Sequence, residues 1–269
     1  MRNVGRFVAI VAPAALIIGA LAGCSSDNAS GENTTPATTK TASPTPSDAT
    51  PTPTPTPTPA ASSTPPAVAS GEACSASGSG VPAGAKSADT IDVDGDGKPD
   101  QQWVSQAGEF GITTASGRTS SIKPTGISGG AEPTALVGDV NGKGEVVMLI
   151  AGSRQADLYR WINCALEPVQ NPQGQQYQFD LTGQNGNGIG CADIGGTGQL
   201  VGLKSSEPAG AMSKDQAVTV QRTIITLNGT TAANGETENV RVSGTAAETA
   251  TDVTCHDRTL HTDGLNFSG

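Results

Sequence analysis

Asp92, Asp94, Asp96 and Asp100 stand at positions 1, 3, 5 and 9 of the stretch Asp-Val-Asp-Gly-Asp-Gly-Lys-Pro-Asp, with glycine at positions 4 and 6. Carboxylates on alternate residues of a tight loop suit one kind of chemistry: they surround a hard cation. Their side-chain oxygens, together with the backbone carbonyl of Lys98 at position 7, make a ligand set for one Ca²⁺ at about 2.3–2.6 Å, and the glycines let the backbone wrap closely. An ion saturated with protein oxygens is structural, because it orders the loop and leaves little room for a catalytic water. An acidic surface turn without an ion is the plainer alternative. An EF-hand is excluded because position 12 is Trp103, where that loop needs a bidentate Glu, and a dockerin because its paired loop-helix units are missing.

Few other residues are placed to do chemistry. Gly126-Ile127-Ser128-Gly129-Gly130 satisfies the Gly-x-Ser-x-Gly pattern, and Asp252 and His256 follow in the order of a hydrolase triad. A nucleophile elbow needs a buried strand before the serine and a helix after it. Here Lys123-Pro124-Thr125 precedes and Ala131-Glu132-Pro133 follows, which reads as a loop. His256 and His261, the only histidines, sit in a polar C-terminal stretch and read as solvated side chains rather than an acid-base pair or metal ligands. Trp103 and Trp161 are expected as buried anchors of sheets, with a sugar-stacking platform as the alternative. No pair of carboxylates in the sequence declares itself as a glycosidase site.

The elements that position the aspartate loop are legible because it recurs. Asp92-Val-Asp-Gly-Asp-Gly aligns with Asp139-Val-Asn-Gly-Lys-Gly and Asp193-Ile-Gly-Gly-Thr-Gly: Asp at position 1, Val or Ile at position 2, Gly at positions 4 and 6. The copies are about 50 residues apart, a spacing typical of propeller blades and related β arrays. Short apolar stretches precede and follow each loop, so each copy reads as strand, loop, strand. The ligand set decays along the series: the second loop keeps Asp139 and Asn141 but has Lys143 at position 5, and the third keeps only Asp193. One ion is therefore expected, with the Lys143 ammonium standing where a cation would lie in the second loop.

These residues resemble the VCBS and FG-GAP repeats of integrin-type β-propellers, whose calcium loop has the form Asp-x-Asp-x-Asp-Gly-x-x-Asp; Asp92 to Asp100 matches it in full. The resemblance implies blades of antiparallel strands, calcium between the first two strands of a blade, and an extracellular adhesion, glycan-associated or lipoprotein setting. An all-β fold follows, a propeller-like array of three to four blades. Residues 217–227, 238–242 and 251–255 are expected to supply outer strands or a divergent fourth sheet.

The N-terminal end is a second informative region. Arg2 and Arg6 precede an uncharged apolar run from Phe7 to Ala22. That run falls short of the roughly 20 residues a spanning helix wants, and reads as an export signal. Leu21-Ala22-Gly23-Cys24 resembles the lipobox of bacterial lipoproteins. The resemblance implies a signal peptide over residues 1–23 and a diacylglycerol on the thiol of Cys24. Acyl chains in pairs anchor stably where one binds marginally, so the implied location is the extracytoplasmic face of the cell membrane. Residues 24–70 are rich in Ser, Thr, Pro and Ala and culminate in the Pro-Thr alternation Pro51 to Pro59. They lack the apolar area to offset chain entropy and are expected as a disordered linker, a spacer that could reach on the order of 100 Å if fully extended as polyproline II. The repeat domain is assigned to residues 71–269.

Cysteine usage agrees with export. Cys74, Cys164, Cys191 and Cys255 remain after Cys24, an even number suited to two disulfides in an oxidising compartment. Spacing leaves three connectivities, of which Cys164 with Cys191 and Cys74 with Cys255 is favoured because the latter would join the ends of the domain. Zinc is a poor rival, since there is no Cys-x-x-Cys and His256 is the only imidazole beside Cys255. A formal charge of −10 without a basic patch disfavours nucleic acid. The sequence thus points to a lipid-anchored, calcium-stabilised binding or adhesion module with an envelope glycan or protein as ligand. An envelope glycan hydrolase or lyase, and a structural subunit of an envelope complex, are the alternatives.

Overall fold

Val146-Val147-Met148-Leu149-Ile150-Ala151 is buried at every residue. A strand normally alternates inward and outward side chains, so an unbroken apolar run means that both of its faces are covered. The computed structural model, which describes residues 74–127, 130–183, 186–207 and 216–268, shows how. The expected signal peptide, Cys24 and the expected Pro/Thr-rich linker lie outside the described residues, as do Ser128 and Gly129 of the Gly-x-Ser-x-Gly stretch.

The described chain is all-β and built from three consecutive antiparallel sheets. The first has strands β1 (Lys86–Asp89), β2 (Gln101–Val104), β3 (Phe110–Thr113) and β4 (Thr119–Ile122) in that order. The second has β5 (Thr134–Asp139), β6 (Val146–Ala151), β7 (Gln155–Ile162) and β8 (Ala165–Pro168), with β9 (Gln178–Asp180) also on β7. The third has β10 (Asn187–Ile194), β11 (Thr197–Ser205), β12 (Val218–Asn228) and β13 (Thr231–Val242). Each is a meander in sequence order, the arrangement of a propeller blade. Residues 217–227 and 238–242, expected as outer strands, are indeed the outer hairpin of the third sheet.

The middle sheet lies between the other two. Val146, Met148 and Ile150 pack in one core with Val104, Phe110 and Ile112 of the first sheet. Val147, Leu149 and Ala151 pack in the other with Ile189, Leu200 and Ile225 of the third. The same parity runs through β7, with Tyr159 and Trp161 in the first core, Ala156 and Leu158 in the second. Trp103 and Trp161 are both buried, which removes the sugar-platform alternative. Gly111 faces Trp103 across the β2–β3 pair, and a Cβ there would lie 2.2 Å from the indole, so the bare backbone is the seat for that ring.

The C-terminal segment adds a fourth sheet of only two strands, entered by the end of the expected stretch 251–255. It comprises α1 (Thr245–Thr249), the small pair β14 (Thr254–Cys255) and β15 (Arg258–Thr259), and α2 (Leu260–Asp263). Ala247 and Ala250 cover Val218 and Val220 on the far face of the third sheet. Val253 then bridges Ile189 of β10, and Leu265 exchanges both backbone hydrogen bonds with Ala135 of β5. The segment straps the first strands of the second and third sheets, satisfying edge groups that a further blade would otherwise meet.

Both disulfides form, but not in the favoured pairing. The bonds are Cys74–Cys164 and Cys191–Cys255, with Cα atoms 5.7 and 4.5 Å apart. Cys164 occupies the tight β7–β8 turn, on the margin of the second sheet where Arg118 of the first donates to its carbonyl at 2.7 Å, and Ser77 beside Cys74 bridges Arg118. Cys191 lies on β10, where the C-terminal strap delivers Cys255. Cys164 and Cys191 therefore sit on opposite margins of their sheets, and sequence proximity did not translate into spatial proximity.

Candidate metal centre

The first loop spans the connection from β1 to β2 and is closed at its base by the Thr90 N–H on the Asp100 carbonyl at 2.7 Å. Asp92 organises it from within. Its Oδ1 accepts from the N–H groups of Gly95 (2.7 Å) and Asp96 (3.2 Å), and its Oδ2 from Gly97 (2.7 Å). Gly95 and Gly97 have φ of 77° and 83°, the left-handed region in which a side chain would be strained. Sequence positions 4 and 6 of the repeat are therefore glycine for backbone reasons, independently of any ion.

Asp94 is held from three directions. Its Oδ1 accepts from Asp96 N–H at 3.3 Å, and its Oδ2 from the Cys74 N–H at 2.9 Å and the Ser116 hydroxyl at 3.3 Å. Asp100 is 1% exposed, with Val93 N–H on Oδ2 at 2.7 Å and Ala115 N–H on Oδ1 at 2.8 Å. Burial raises its pKa above 3.8; the two backbone hydrogen bonds oppose the shift, and the charges of Asp94 and Asp92 add to it.

One oxygen each from Asp92, Asp94 and Asp100 lies within 4.8 Å of the others, the sole such gathering of three potential ligand residues among those described. Oxygens around one Ca²⁺ at about 2.3–2.6 Å are separated by at most about 5 Å, so the spacing fits the ion. Of the five expected ligands the structure brings these three together. Asp96 instead accepts from the Lys98 N–H at 2.8 Å and lies 3.8 Å from its ammonium. Cys74, Ala115 and Ser116 support the cluster from outside the loop. Nothing local in the sequence marks them, because they arrive through the β3–β4 turn and the segment preceding β1.

The other two loops keep the turn and lose the cluster. Asp139 accepts from Asn141, Gly142 and Glu145 N–H groups on Oδ1 and from Gly144 on Oδ2, at 2.8–3.2 Å. Asp193 Oδ1 accepts from Gly196 at 2.8 Å, in a hairpin reduced to Gly195-Gly196 between strands. All three loops connect the first and second strands of a sheet, as the resemblance implied. Lys143 is exposed and is not the cation that meets the second loop. Arg160 plays that part: its guanidinium contacts Glu145 at 3.0 Å, and Glu145 in turn accepts from Asn141 Nδ2 at 3.2 Å. The alternative lost because Glu145, one residue past position 6, reaches inward to a cation supplied by β7.

Other candidates are dispersed. His256 is exposed, with Nε2 3.2 Å from the Val140 carbonyl, and His261 is exposed beside an open hollow also lined by Asp252 and Asn266. Asp157 is a second carboxylate at 1% exposure, accepting from Gln178 Nε2 at 2.8 Å and facing the Tyr159 hydroxyl at 3.5 Å. Burial raises its pKa above 3.8, with the hydrogen bonds from Gln178, Tyr159 and Gln155 opposing. No helix among the described residues is long and apolar enough to cross a membrane. Comparison with protein-family models, curated proteins and solved structures finds no significant match to this chain.

Proposed function

We propose that this chain is an envelope lipoprotein whose β domain is ordered by one calcium ion and serves as a binding or adhesion module. The observation that carries the reading is the convergence of Asp92, Asp94 and Asp100 on one point, in a loop whose form resembles the VCBS and FG-GAP calcium loop. Three carboxylates held that close repel one another, and a divalent cation removes the repulsion. The ion would be held by these three side chains, with Asp96 and the Lys98 carbonyl completing the shell, and would supply rigidity rather than chemistry. The resemblance of Leu21 to Cys24 to a lipobox supplies the location: a diacylglycerol on Cys24, then a spacer over residues 24–70, at the extracytoplasmic face of the cell membrane. Two disulfides suit that oxidising side.

Thermal unfolding of the full chain with calcium and with chelator tests the ion. Calcium at 100-fold over Kd is expected to stabilise by about 2.7 kcal/mol. Asp94→Ala should abolish the increment. Superimposed curves for the wild type would remove calcium from the reading. Cys24→Ser tests the anchor separately: the chain should move from the membrane fraction to the soluble one, and retention would refute lipid attachment at that residue.

A further inference from the structure

The inner face of the third sheet changes character along its length. Near the middle sheet it is apolar, where Leu200, Ile225 and Ala232 join the core. Two rows further along the strands it turns polar. Strand register places Asn187 opposite Lys204, Lys204 opposite Gln221, and Gln221 opposite Asn239. The adjacent row is Ile189, Gly202, Thr223 and Thr237, in which the Thr223 and Thr237 hydroxyls are 3.1 Å apart. Positions whose alternation marks them as inward thus carry amides, hydroxyls and one ammonium. Lys204, Gln221, Thr237 and Asn239 are exposed. A core that had merely ended would have no need to keep a patterned polar row across four strands, a width of about 14 Å.

Asn187, Gly202, Lys204, Gln221 and Thr223 of these rows line a groove rather than a flat surface. The segment through β9 forms the opposite wall, where Tyr177 and Phe179 make an edge-to-face pair 5.2 Å apart. Gly202 opens the middle of the floor: it carries no side chain where a Cβ would stand 3.8 Å from the Phe179 ring. Tyr177 is tied to Asn234 by a hydrogen bond from its hydroxyl, and its burial raises its pKa to about 12, so it remains a neutral donor. The groove measures about 320 Å³.

The chemistry selects the class of ligand. Amides and hydroxyls offer both donors and acceptors, and Lys204 adds one ammonium. A polyanion would find no cluster of cations here on a chain of charge −10. A peptide strand would seek backbone groups at a sheet edge, whereas a sheet face has spent its backbone hydrogen bonds within the sheet. We propose that this groove binds a neutral saccharide, its hydroxyls matched to Asn187, Gln221, Thr223 and the Lys204 ammonium. The proposal rests on the reading of the domain as a binding module and names its site and ligand class.

The test titrates the full-length chain, in a zwitterionic detergent that carries no sugar, with neutral tetrasaccharides of N-acetylglucosamine, glucose and mannose and with a sulfated tetrasaccharide. Calorimetry in calcium is expected to give a Kd of about 1 mM or tighter for a neutral probe and none for the sulfated one. The exposed double substitution Lys204→Ala with Gln221→Ala should weaken that binding at least about ten-fold without moving the unfolding midpoint. In parallel, wild type and variant are sedimented with insoluble peptidoglycan. Equal sedimentation of the two would overturn the groove while leaving the binding-module reading intact. Absence of all binding by the wild type would overturn both, and preference for the sulfated probe would overturn the neutral-saccharide assignment.

Discussion

The first and second loops share a backbone and differ in what fills it. In both, the Asp at position 1 accepts from the N–H groups at positions 4 and 6 through one oxygen each. Around the first, two further carboxylates converge; around the second, the Asn141 amide donates to Glu145, and Glu145 pairs with the Arg160 guanidinium. The comparison separates two roles that the motif fuses in one line of sequence. One aspartate and two glycines build the turn, and the remaining positions decide what gathers beside it: two further carboxylates, or a carboxylate paired with an arginine from a neighbouring strand.

The sharpest way to break the comparison is Asp100→Ala. It removes a member of the aspartate cluster and leaves the Val93 and Ala115 N–H groups without their partner in a buried setting. A loss of about 3–5 kcal/mol is expected in denaturant titration, against the smaller loss expected for Asp94→Ala. Next comes Arg160→Met, which strands Glu145 and the Gly229 carbonyl that Arg160 contacts at 2.6 Å. About 1–3 kcal/mol should be lost, equally in calcium and in chelator. A calcium-dependent loss would mean that the second loop also takes an ion.

Asp157→Asn probes a carboxylate outside both loops. Its folded-state pKa is raised, so its contribution to stability is fully present below 3.8 and declines as pH rises through the folded value. The wild type should therefore lose stability over that rise relative to the variant in urea titrations at a series of pH values. A variant with the steeper decline would show that the charged form is the one preferred. The smallest effect belongs to the third loop: Asp193→Asn keeps an acceptor for Gly196 N–H and should change stability by less than about 0.5 kcal/mol.

Much of the architecture was legible because local rules agree with the fold. The glycines at positions 4 and 6 mark the turns, and alternating or unbroken apolar runs mark strands with one or two covered faces. Asp92, Asp94 and Asp100 could be picked out since the residues that converge are also close in sequence. What escaped notice depends on long-range contact. The C-terminal strap has no periodicity of its own, and its pairing with β5 and β10 joins residues as far apart as Ala135 and Leu265. The disulfides follow that strap and the margins of the sheets, so spacing pointed to the wrong partners. Arg160 could not be matched to Glu145 without knowing that β7 lies beside β6. The polar stripe was hidden for another reason: Lys204, Gln221 and Asn239 are ordinary surface residues one by one, and only the register lines them up.

The Cys74–Cys164 bond carries a mechanical consequence. Cys74 is joined through sulfur to Cys164, so a pull that reaches Cys74 along the chain before it passes into the β7–β8 turn of the middle sheet. The whole first sheet, residues 86–122, lies within the bypassed covalent loop and bears no tension while the bond holds. The aspartate cluster lies in that slack loop but meets the loaded path at Asp94, which accepts from the Cys74 N–H at 2.9 Å, so tension on the chain would reach the cluster through Asp94.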